Sequence, residues 1–561
     1  MLFAVRSAAA LHRLLDLLPV FDGDARVRCR FTLVPGSAFD ADALSAVASA
    51  GARCLPWPEA LARRHDLILT ASPKGELTAL CGPKVLLPHG AGFNKALADE
   101  GSPHLPSGLD PAFLLTGDAR PIADLHALAH PDQVTRLASH CPPAGATALV
   151  AGDPTLDRIL LSLDRREAFR TALGTGARRL VVLSSTWGPQ SLLARHPDLP
   201  ARLAARLPYD AYQLALVVHP NEYSRTGSFD LARRLRPALD AGLVLAGPAE
   251  EWAALLVAGD TVVTDHGSTA LYAAALDRPV VAVCDGGAEL VPGSPMARLL
   301  AAVPRLDPSG EDATAVLAAP EPPGGPGTRR FAEAAFARPG EALTTLGPEL
   351  YALLGLAAPA RPARPRPLTA VPAAPRTPAA FAVRVRTSGA DGAVPGAVTI
   401  DRLPPWTERP YHHLAAEYGR AGIREAQSAG LLYRRATGGA AAPDTWHHEH
   451  RTAADWLDEA LADHPGCRTA AVVLSANRCL VRRTDGGPFA VLIEPHRAGG
   501  RLRRTDPAAV LSAVHVHLGS RAGRRTDPGT APDGPVVCRI DDTPYRVLLT
   551  AATDADLRAL L

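Results

Sequence analysis

The residues best suited to chemistry form a polar turn between two apolar segments that are typical of β-strands. The turn spans Thr264–Thr269 (Thr-Asp-His-Gly-Ser-Thr) and lies between Thr261–Val263 and Val280–Val283. It opens an alanine-rich, helix-like stretch, so backbone N–H groups and the positive end of a helix dipole would meet there. This suits a phosphate or diphosphate, although an ordinary helix cap uses the same Ser and Thr types. The predicted contacts to such a group come from Asp265, His266, Gly267, Ser268 and Thr269.

Lysine and asparagine are rare in this chain, and several of them are candidates for the same site. The chain has only three lysines, Lys74, Lys84 and Lys95, and three asparagines, while arginine supplies nearly all other positive charge. Such a skew is typical of a genome-wide nucleotide bias that replaces Lys with Arg wherever either will serve. A compact ammonium or a neutral amide is not interchangeable with a guanidinium at a tight site. We therefore interpret Lys74 and Lys95 as phosphate-neutralising residues and Asn221 as a donor-binding residue, with chance clustering as the alternative.

Composition limits the class of protein. The 561 residues allow about three or four domains, and a hydrophobic fraction of 47% is ample for packed cores. A net charge of +2 gives no reason to expect a nucleic-acid partner. The cysteines are scattered without a Cys-x-x-Cys pair, which favours a reducing compartment over structural zinc. Without a signal-peptide pattern or an apolar run of roughly 18–20 residues, we expect a cytoplasmic protein, with peripheral contact at the inner face of the membrane left open.

Short apolar strands alternate with helical stretches along most of the first 350 residues. Such alternation predicts parallel sheets with helices on both faces, and ligands bind beyond the carboxyl ends of the strands. We predict an α/β fold with two Rossmann-like domains that face a cleft, residues 1–145 on the acceptor side and residues 146–354 on the donor side. A final helix near Leu343–Leu356 would pack back toward the first domain.

The remaining chain has a different composition. Residues 355–380 are dominated by Pro, Ala and Arg, which predicts an extended, semi-rigid linker. Residues 381–561 are interpreted as an accessory α+β domain of unassigned role. Within it, Ala470–Val481 and Phe489–Ile493 are predicted as two β runs joined by hairpin chemistry at Thr484–Pro488.

Six short motifs follow one another in a recognisable order. They are Pro88-His89-Gly90, Gly152–Asp157, Ser185-Thr186-Trp187, His219-Pro220, Thr264–Ser268 and Arg278-Pro279. The series resembles the CDP-glycerol glycerophosphotransferases (teichoic-acid polymerases and primases), which have the GT-B architecture. His266-Gly267 stands where that family has Tyr-Ser, and Tyr272 stands where it has an acid that could serve ribose binding or the fold.

The resemblance implies a transferase that moves a glycerophosphate or glycosyl group from a nucleotide-diphosphate donor to a hydroxyl-bearing acceptor. The donor would be CDP-glycerol or a nucleotide sugar, and a lipid-linked acceptor is one option. His89 is the candidate general base, because a neutral imidazole can take a proton from a hydroxyl group near neutral pH. His219 would donate to a diphosphate oxygen. The remaining predicted donor-binding residues are Gly90, Thr186 and Trp187.

Several alternatives stay open. Within the enzyme class they are a UDP-sugar glycosyltransferase and an enzyme like UDP-N-acetylglucosamine 2-epimerase; outside it, a non-catalytic relative that binds a nucleotide or a partner. The absence of Gly-x-Gly-x-x-Gly and P-loop motifs weakens NAD-type and P-loop functions. We predict no cofactor and no metal, since the adjacent side chains of His447–His450 make poor ligand geometry.

Overall fold

The computed structural model describes residues 1–37, 40–88, 90–96, 105–318, 327–388, 397–436, 452–520, 535–541 and 543–561. His89, the cluster at His447–His450 and most of the Pro/Gly-rich stretch at 319–327, expected to be a surface loop, lie outside these described residues. The chain divides into two compact units. Unit 1 comprises Met1–Pro200, Leu214–Leu239 and Leu243–Pro375; unit 2 comprises Ala201–Gln213, Asp240–Gly242 and Arg376–Leu561.

The first sheet of unit 1 is parallel and has the strand order β2-β1-β3-β4-β5-β6. Its elements are β1 (Leu2–Val5), α1 (Ala8–Leu15), β2 (Arg30–Leu33), α2 (Asp40–Ser49), α3 (Trp57–Leu61), β3 (Ile68–Thr70), β4 (Lys84–Leu86), α4 (Pro111–Leu114), β5 (Leu125–Leu128), α5 (Pro131–His140), α6 (Pro142–Gly145) and β6 (Ala148–Val150). All four residues of strand β1, which pairs with a strand on each side, are fully buried, as expected for a sheet covered on both faces.

Local sequence explains where helix α1 starts and stops. Ser7 precedes it, and the Ser7 hydroxyl accepts a hydrogen bond from the Ala10 N–H (3.2 Å), which satisfies a free donor of the first turn. The sequence pattern of residues 8–18 predicts a helix that continues to Leu18, but the α-helix ends at Leu15. A short 3₁₀ turn with Pro19 follows it, because proline has no N–H to continue the helical hydrogen-bond ladder.

The second sheet of unit 1 has the strand order β11-β10-β7-β8-β9 and parallel pairing at β10 with β7, β10 with β11, and β8 with β9. Its elements, with the helices that complete the series, are α7 (Pro154–Leu161), α8 (Arg166–Ala172), β7 (Arg179–Ser185), α9 (Leu192–Arg195), α10 (Leu199–Arg206), β8 (Tyr212–Val218), α11 (Pro220–Thr226), α12 (Ser228–Arg234), α13 (Arg236–Asp240), β9 (Val244–Leu245), α14 (Glu251–Ala258), β10 (Thr261–Thr264), α15 (Thr269–Ala275), β11 (Val280–Ala282), α16 (Pro295–Ala302), α17 (Ala313–Ala318), α18 (Arg329–Glu333) and α19 (Ala342–Leu353).

These two sheets confirm the Rossmann-like α/β character that the sequence predicted. The final helix α19 also matches its prediction: Leu346, Leu350 and Tyr351 are buried in the apolar cluster that covers the first sheet. Strand β6 belongs to the first sheet although it follows residue 145, where the sequence suggested a domain boundary.

In unit 2, nine strands close into a barrel in the order β12-β13-β21-β22-β18-β17-β16-β15-β14. The elements are β12 (Ala380–Ser388), β13 (Ala397–Leu403), β14 (His413–Glu417), α20 (Ile423–Ser428), β15 (Leu431–Arg435), α21 (Ala453–Asp463), β16 (Thr469–Ser475), β17 (Arg478–Arg483), β18 (Phe489–Ile493), β19 (His496–Ala498), β20 (Arg501–Arg503), α22 (Pro507–Ser520), β21 (Val536–Ile540), β22 (Thr543–Ala551) and α23 (Asp554–Leu557). The predicted mixture of helices and strands is confirmed, whereas closure into a barrel was not predicted.

Helix α22 fills the interior of this barrel. Every residue from Pro507 to Leu518 is buried, and the helix packs against β13 and β21 as well as against β15 and β16. A helix that is apolar on all sides must be buried all round, and a barrel lumen provides that environment.

One prediction in this unit was wrong. Ala470–Val481 is not a single β run, because the chain turns at Ala476-Asn477 and β16 pairs antiparallel with β17. The hairpin predicted at Thr484–Pro488 is confirmed by the antiparallel pairing of β17 with β18.

Among the described residues, no helix is both long and apolar enough to cross a bilayer.

Candidate functional site

Unit 1 contains a cavity of about 530 Å³ whose lining includes loops that follow strands of both sheets. The first sheet contributes the loops after β3 and β4, and the second contributes those after β7, β8, β9 and β10. The carboxyl ends of parallel strands are where such sheets bind ligands. The predicted site residues that line the cavity are Lys74, Gly90, Lys95, Thr186, Trp187, His219, Asn221, His266, Gly267, Ser268 and Thr269.

Gly90 lies directly beside Ser268. A Cβ atom added to Gly90 would lie 3.4 Å from Ser268 Oγ, which is van der Waals contact. The loop after β4 and the turn after β10 therefore meet, although Gly90 and Ser268 are 178 positions apart in the chain.

Asp265 holds the turn after β10 in place through hydrogen bonds to three backbone N–H groups. It is fully buried and does not line the cavity. Its Oδ2 accepts the N–H groups of Thr186 (2.9 Å) and Leu192 (2.8 Å), and its Oδ1 accepts that of Gly267 (2.9 Å). Burial raises the pKa of this carboxyl group, while the charge of Lys95 and the three N–H donors act in the opposite direction. The carboxylate thus joins the loop after β7 to the turn after β10.

Lys95 contacts the loop after β7 through its ammonium group, and Asp265 joins that loop to the turn after β10. Its Nζ donates to Thr186 Oγ1 (2.7 Å). The backbone on either side pairs with the second half of unit 1, because Ala96 N–H donates to Glu289 O (2.9 Å) and Val291 N–H donates to Asn94 O (2.9 Å). This pairing holds the Lys95 ammonium near Asp265, His266 and Glu289.

His266 and Glu289 form a buried pair that the sequence analysis missed. His266 is fully buried, and its Nε2 lies 2.9 Å from Glu289 Oε2. Burial, assisted by the charge of Lys95, lowers the pKa of His266 to about 3, so the ring is neutral and Nε2–H donates to the carboxylate. Burial raises the pKa of Glu289. No local pattern marks Glu289, since it lies 23 residues beyond His266 in a Gly-rich loop.

His219 is held in a different hydrogen-bonding state. It caps helix α11, and its Nδ1 accepts the N–H of Asn221 (3.1 Å). In the neutral ring the proton is then on Nε2, which makes that atom a hydrogen-bond donor. The Trp187 ring lies beside His219, with 6.3 Å between the ring centroids.

A second buried group that the sequence did not reveal involves Arg13, Asp153 and Tyr272. Arg13 Nη1 donates to Asp153 Oδ1 (2.9 Å) and to Tyr272 Oη (3.1 Å), and the Tyr272 hydroxyl donates to Asp153 Oδ2 (3.0 Å). Burial alone would lower the pKa of Arg13, but Asp153 raises it overall. Tyr272, which stands where the resembled family has an acid, therefore directs its hydroxyl to this pair.

The loop after β9 forms another part of the cavity wall. Glu250 lines it and is held by Arg158, whose Nη1 and Nη2 donate to the two carboxylate oxygens (2.9 and 3.1 Å). Trp252 follows on the first turn of α14, and its ring meets that of Tyr272 edge-on, with 5.4 Å between centroids. This part of the wall combines one paired carboxylate with aromatic surface.

In the described part of the chain, no group of three His, Cys, Asp or Glu side chains is arranged to hold a metal ion.

No protein-family model and no curated protein sequence matches this chain. Solved structures do show similarity. The UDP co-structure of S. aureus MnaA aligns over 66% of this chain and 99% of its own, with 11% identity and a TM-score of 0.43. UDP-GlcNAc 2-epimerase from Neisseria meningitidis, bound to UDP-GlcNAc, aligns over 63% and 98%, with 12% identity and a TM-score of 0.38. The wall teichoic acid polymerase TagF with CDPG aligns over 63% and 88%, with 11% identity and a TM-score of 0.40. Similar structures therefore include a teichoic-acid polymerase, the type of enzyme that the ordered motifs resemble.

Proposed function

We propose that this chain is a GT-B-type transferase that moves a glycerophosphate or glycosyl group from a nucleotide-diphosphate donor to a hydroxyl acceptor. The two Rossmann-like parts of unit 1 would face each other across the cavity. The observation that carries this proposal is the meeting of the Ser268 turn, Lys95 and Gly90 at one cavity, with His219 on its wall.

The donor diphosphate would lie against the turn after β10. Helix α15 has only seven residues, so its dipole is short, and Lys74 and Lys95 on the cavity wall would add charge neutralisation. The hydroxyl groups of Ser268 and Thr269 and the Nε2–H of His219 would supply directed hydrogen bonds. Fixed donors of this kind stabilise the charge that develops on a departing phosphate.

The acceptor hydroxyl would be deprotonated by His89. This residue lies outside the described residues, but Gly90, which follows it in the chain, lies beside Ser268. Displacement at phosphorus or at an anomeric carbon needs an activated nucleophile at one end and a stabilised leaving group at the other. His89 and His219 would serve these two ends, and residues 381–561 would act as an accessory domain tethered by residues 355–380.

The direct test is thermal-shift screening of the full chain with CDP-glycerol, UDP-sugars and GDP-sugars. We expect one nucleotide class to raise the melting temperature, and Ser268→Ala to reduce that shift. Ser139→Ala is the matched control, because Ser139 is exposed on α5 and does not line the cavity. No shift with any donor would contradict the proposal and favour a partner-binding role without turnover.

A further inference from the structure

The Pro-rich segment after α19 is attached to unit 1 by specific contacts. We call residues 363–371 the strap. The Leu368 N–H donates to Ser162 Oγ (2.9 Å), and the Leu368 carbonyl accepts from Arg165 Nη1. Both backbone polar groups of Leu368 are therefore paired, as they would be in a β-strand, although the strap forms neither strand nor helix.

Two further contacts attach the strap just before Leu368. Arg158 Nε donates to the Arg366 carbonyl (3.1 Å). The Arg366 guanidinium binds both carboxylate oxygens of Asp22, at 2.6 and 2.7 Å. In an extended Pro-rich linker, water satisfies the backbone polar groups, so contacts with the folded unit are not needed. The paired contacts therefore distinguish the strap from a solvated linker.

The side chain of Leu368 points into the protein rather than into solvent. It is 2% exposed and belongs to the apolar cluster of the second sheet, together with Leu156 and Ile159 of α7. It is also part of the cavity lining. The strap thus inserts one apolar side chain into the wall of the proposed donor site.

The contacts of Arg158 locate this part of the wall. The same guanidinium that holds the Arg366 carbonyl also holds Glu250, and Trp252 follows Glu250 on helix α14, which packs against α7. Leu368 and Trp252 therefore belong to the same side of the cavity. Apolar and aromatic surface does not favour a diphosphate, but it suits the flat face of a nucleobase.

We infer that Leu368 is a specificity-determining residue, forming part of the wall against which the nucleoside of the donor packs. This inference rests on the proposed function. The strap would then contribute to donor recognition, and residues outside the two sheets would shape the nucleoside end of the site.

The test measures binding of UDP, CDP, GDP and inorganic pyrophosphate to the full-length protein by calorimetry. Leu368→Ala should weaken the preferred nucleoside diphosphate roughly tenfold, as loss of several buried methyl contacts implies, and leave pyrophosphate binding unchanged. Val371→Ala is the control, because Val371 packs against the same apolar cluster but does not line the cavity. It should leave both affinities unchanged.

Ser162→Ala provides a second variant that leaves the cavity lining intact. Removing the Ser162 hydroxyl frees the Leu368 N–H, so nucleoside binding should weaken severalfold while pyrophosphate binding persists. If Leu368→Ala binds the nucleotide as tightly as the wild type does, the inference is overturned but the proposed function is not. If Leu368→Ala does not fold, the same comparison is made with Ser162→Ala. Parallel loss of nucleotide and pyrophosphate binding would also overturn the inference alone, whereas a wild-type protein that binds no nucleoside diphosphate would overturn both.

Discussion

His219 and His266 both line the cavity, but their hydrogen bonds use different ring nitrogens. His219 uses Nδ1 to cap a helix, so Nε2 carries the proton of its neutral ring. His266 uses Nε2 for Glu289, and its buried Nδ1 has no hydrogen-bond partner among the described residues. Because its Nε2 is hydrogen-bonded to Glu289 and the ring is fully buried, His266 fits a role in holding the turn better than one in proton transfer. The sequence predicted a contact to the donor diphosphate for each of them and did not reveal this difference in hydrogen bonding.

At the residue scale, we predict that His89→Ala lowers turnover about 10²–10⁴-fold, the usual contribution of a general base. Nucleotide affinity should change little, because the predicted diphosphate contacts come from other loops. Steady-state kinetics with the donor identified by thermal shift, together with calorimetry, separates the two effects. His140→Ala is the control, since His140 is exposed at the end of α5. Full activity of His89→Ala would make His219 the next candidate.

Among the elements, helix α22 carries a histidine cluster inside the barrel. The His515 ring contacts that of His413 in a tilted arrangement, with 4.4 Å between centroids, and His515 Nδ1 lies 2.8 Å from Thr469 Oγ1. Burial lowers the pKa of His515 to about 4, with contributions from Arg483, His412 and Arg468. Burial and its histidine neighbours also lower the pKa of His413. The folded barrel therefore holds both rings neutral.

This cluster predicts acid sensitivity of unit 2. Above pH 6.5 both the folded and the unfolded chain hold His515 neutral, so it adds no pH dependence. Between pH 6.5 and pH 4 the unfolded chain binds a proton that the folded chain does not, and stability falls by up to about 3 kcal/mol. Urea unfolding at several pH values should show a smaller acid loss for His515→Asn than for the wild type. His464→Asn, at a half-buried position outside the cluster, should keep the wild-type slope.

The residue composition of the turn between β16 and β17 explains why the sequence did not predict it. Ala476-Asn477 is a two-residue turn without glycine, so the apolar run Ala470–Val481 resembled one long strand. Hairpin prediction depends on Asn-Gly or Asp-Gly pairs, which the second turn at Thr484–Pro488 supplies through Asp485-Gly486. The register of β16 on β17 is decided by packing in the barrel, where alternate residues must face the interior.

At the scale of the whole molecule, Asp153 connects three elements of unit 1. It caps α7 by accepting the Leu156 N–H (2.8 Å), pairs with Arg13 of α1, and accepts from Tyr272 of α15. Both charges are buried, so the pair stabilises only while both partners are present.

We therefore predict that Asp153→Asn destabilises the chain by about 3–5 kcal/mol, because it leaves the Arg13 charge buried without its carboxylate. Tyr272→Phe removes two hydrogen bonds, one accepted from Arg13 and one donated to Asp153, and should cost about 2 kcal/mol. Urea denaturation measures both. Asp118→Asn is the control, because Asp118 pairs with Arg120 on an exposed loop. If Asp153→Asn lowered the free energy of unfolding no more than Asp118→Asn does, the buried ion pair would contribute no more to stability than the exposed one.

The sequence by itself determined the α/β class, the parallel sheets and most loops that line the cavity. Alternating apolar strands and helices carry that information locally, and the topology of parallel strands then places their loops at one edge. The closure of the C-terminal strands into a barrel, the His266–Glu289 pair, the Arg13–Asp153 pair and the insertion of Leu368 were decided only by the tertiary structure. Arg13 and Asp153 are 140 positions apart in the chain and His266 and Glu289 are 23 apart. Such contacts leave no periodic signal in the sequence. They form because residues distant in the chain are buried in the same interior, where polar and charged groups lose water and must pair with each other.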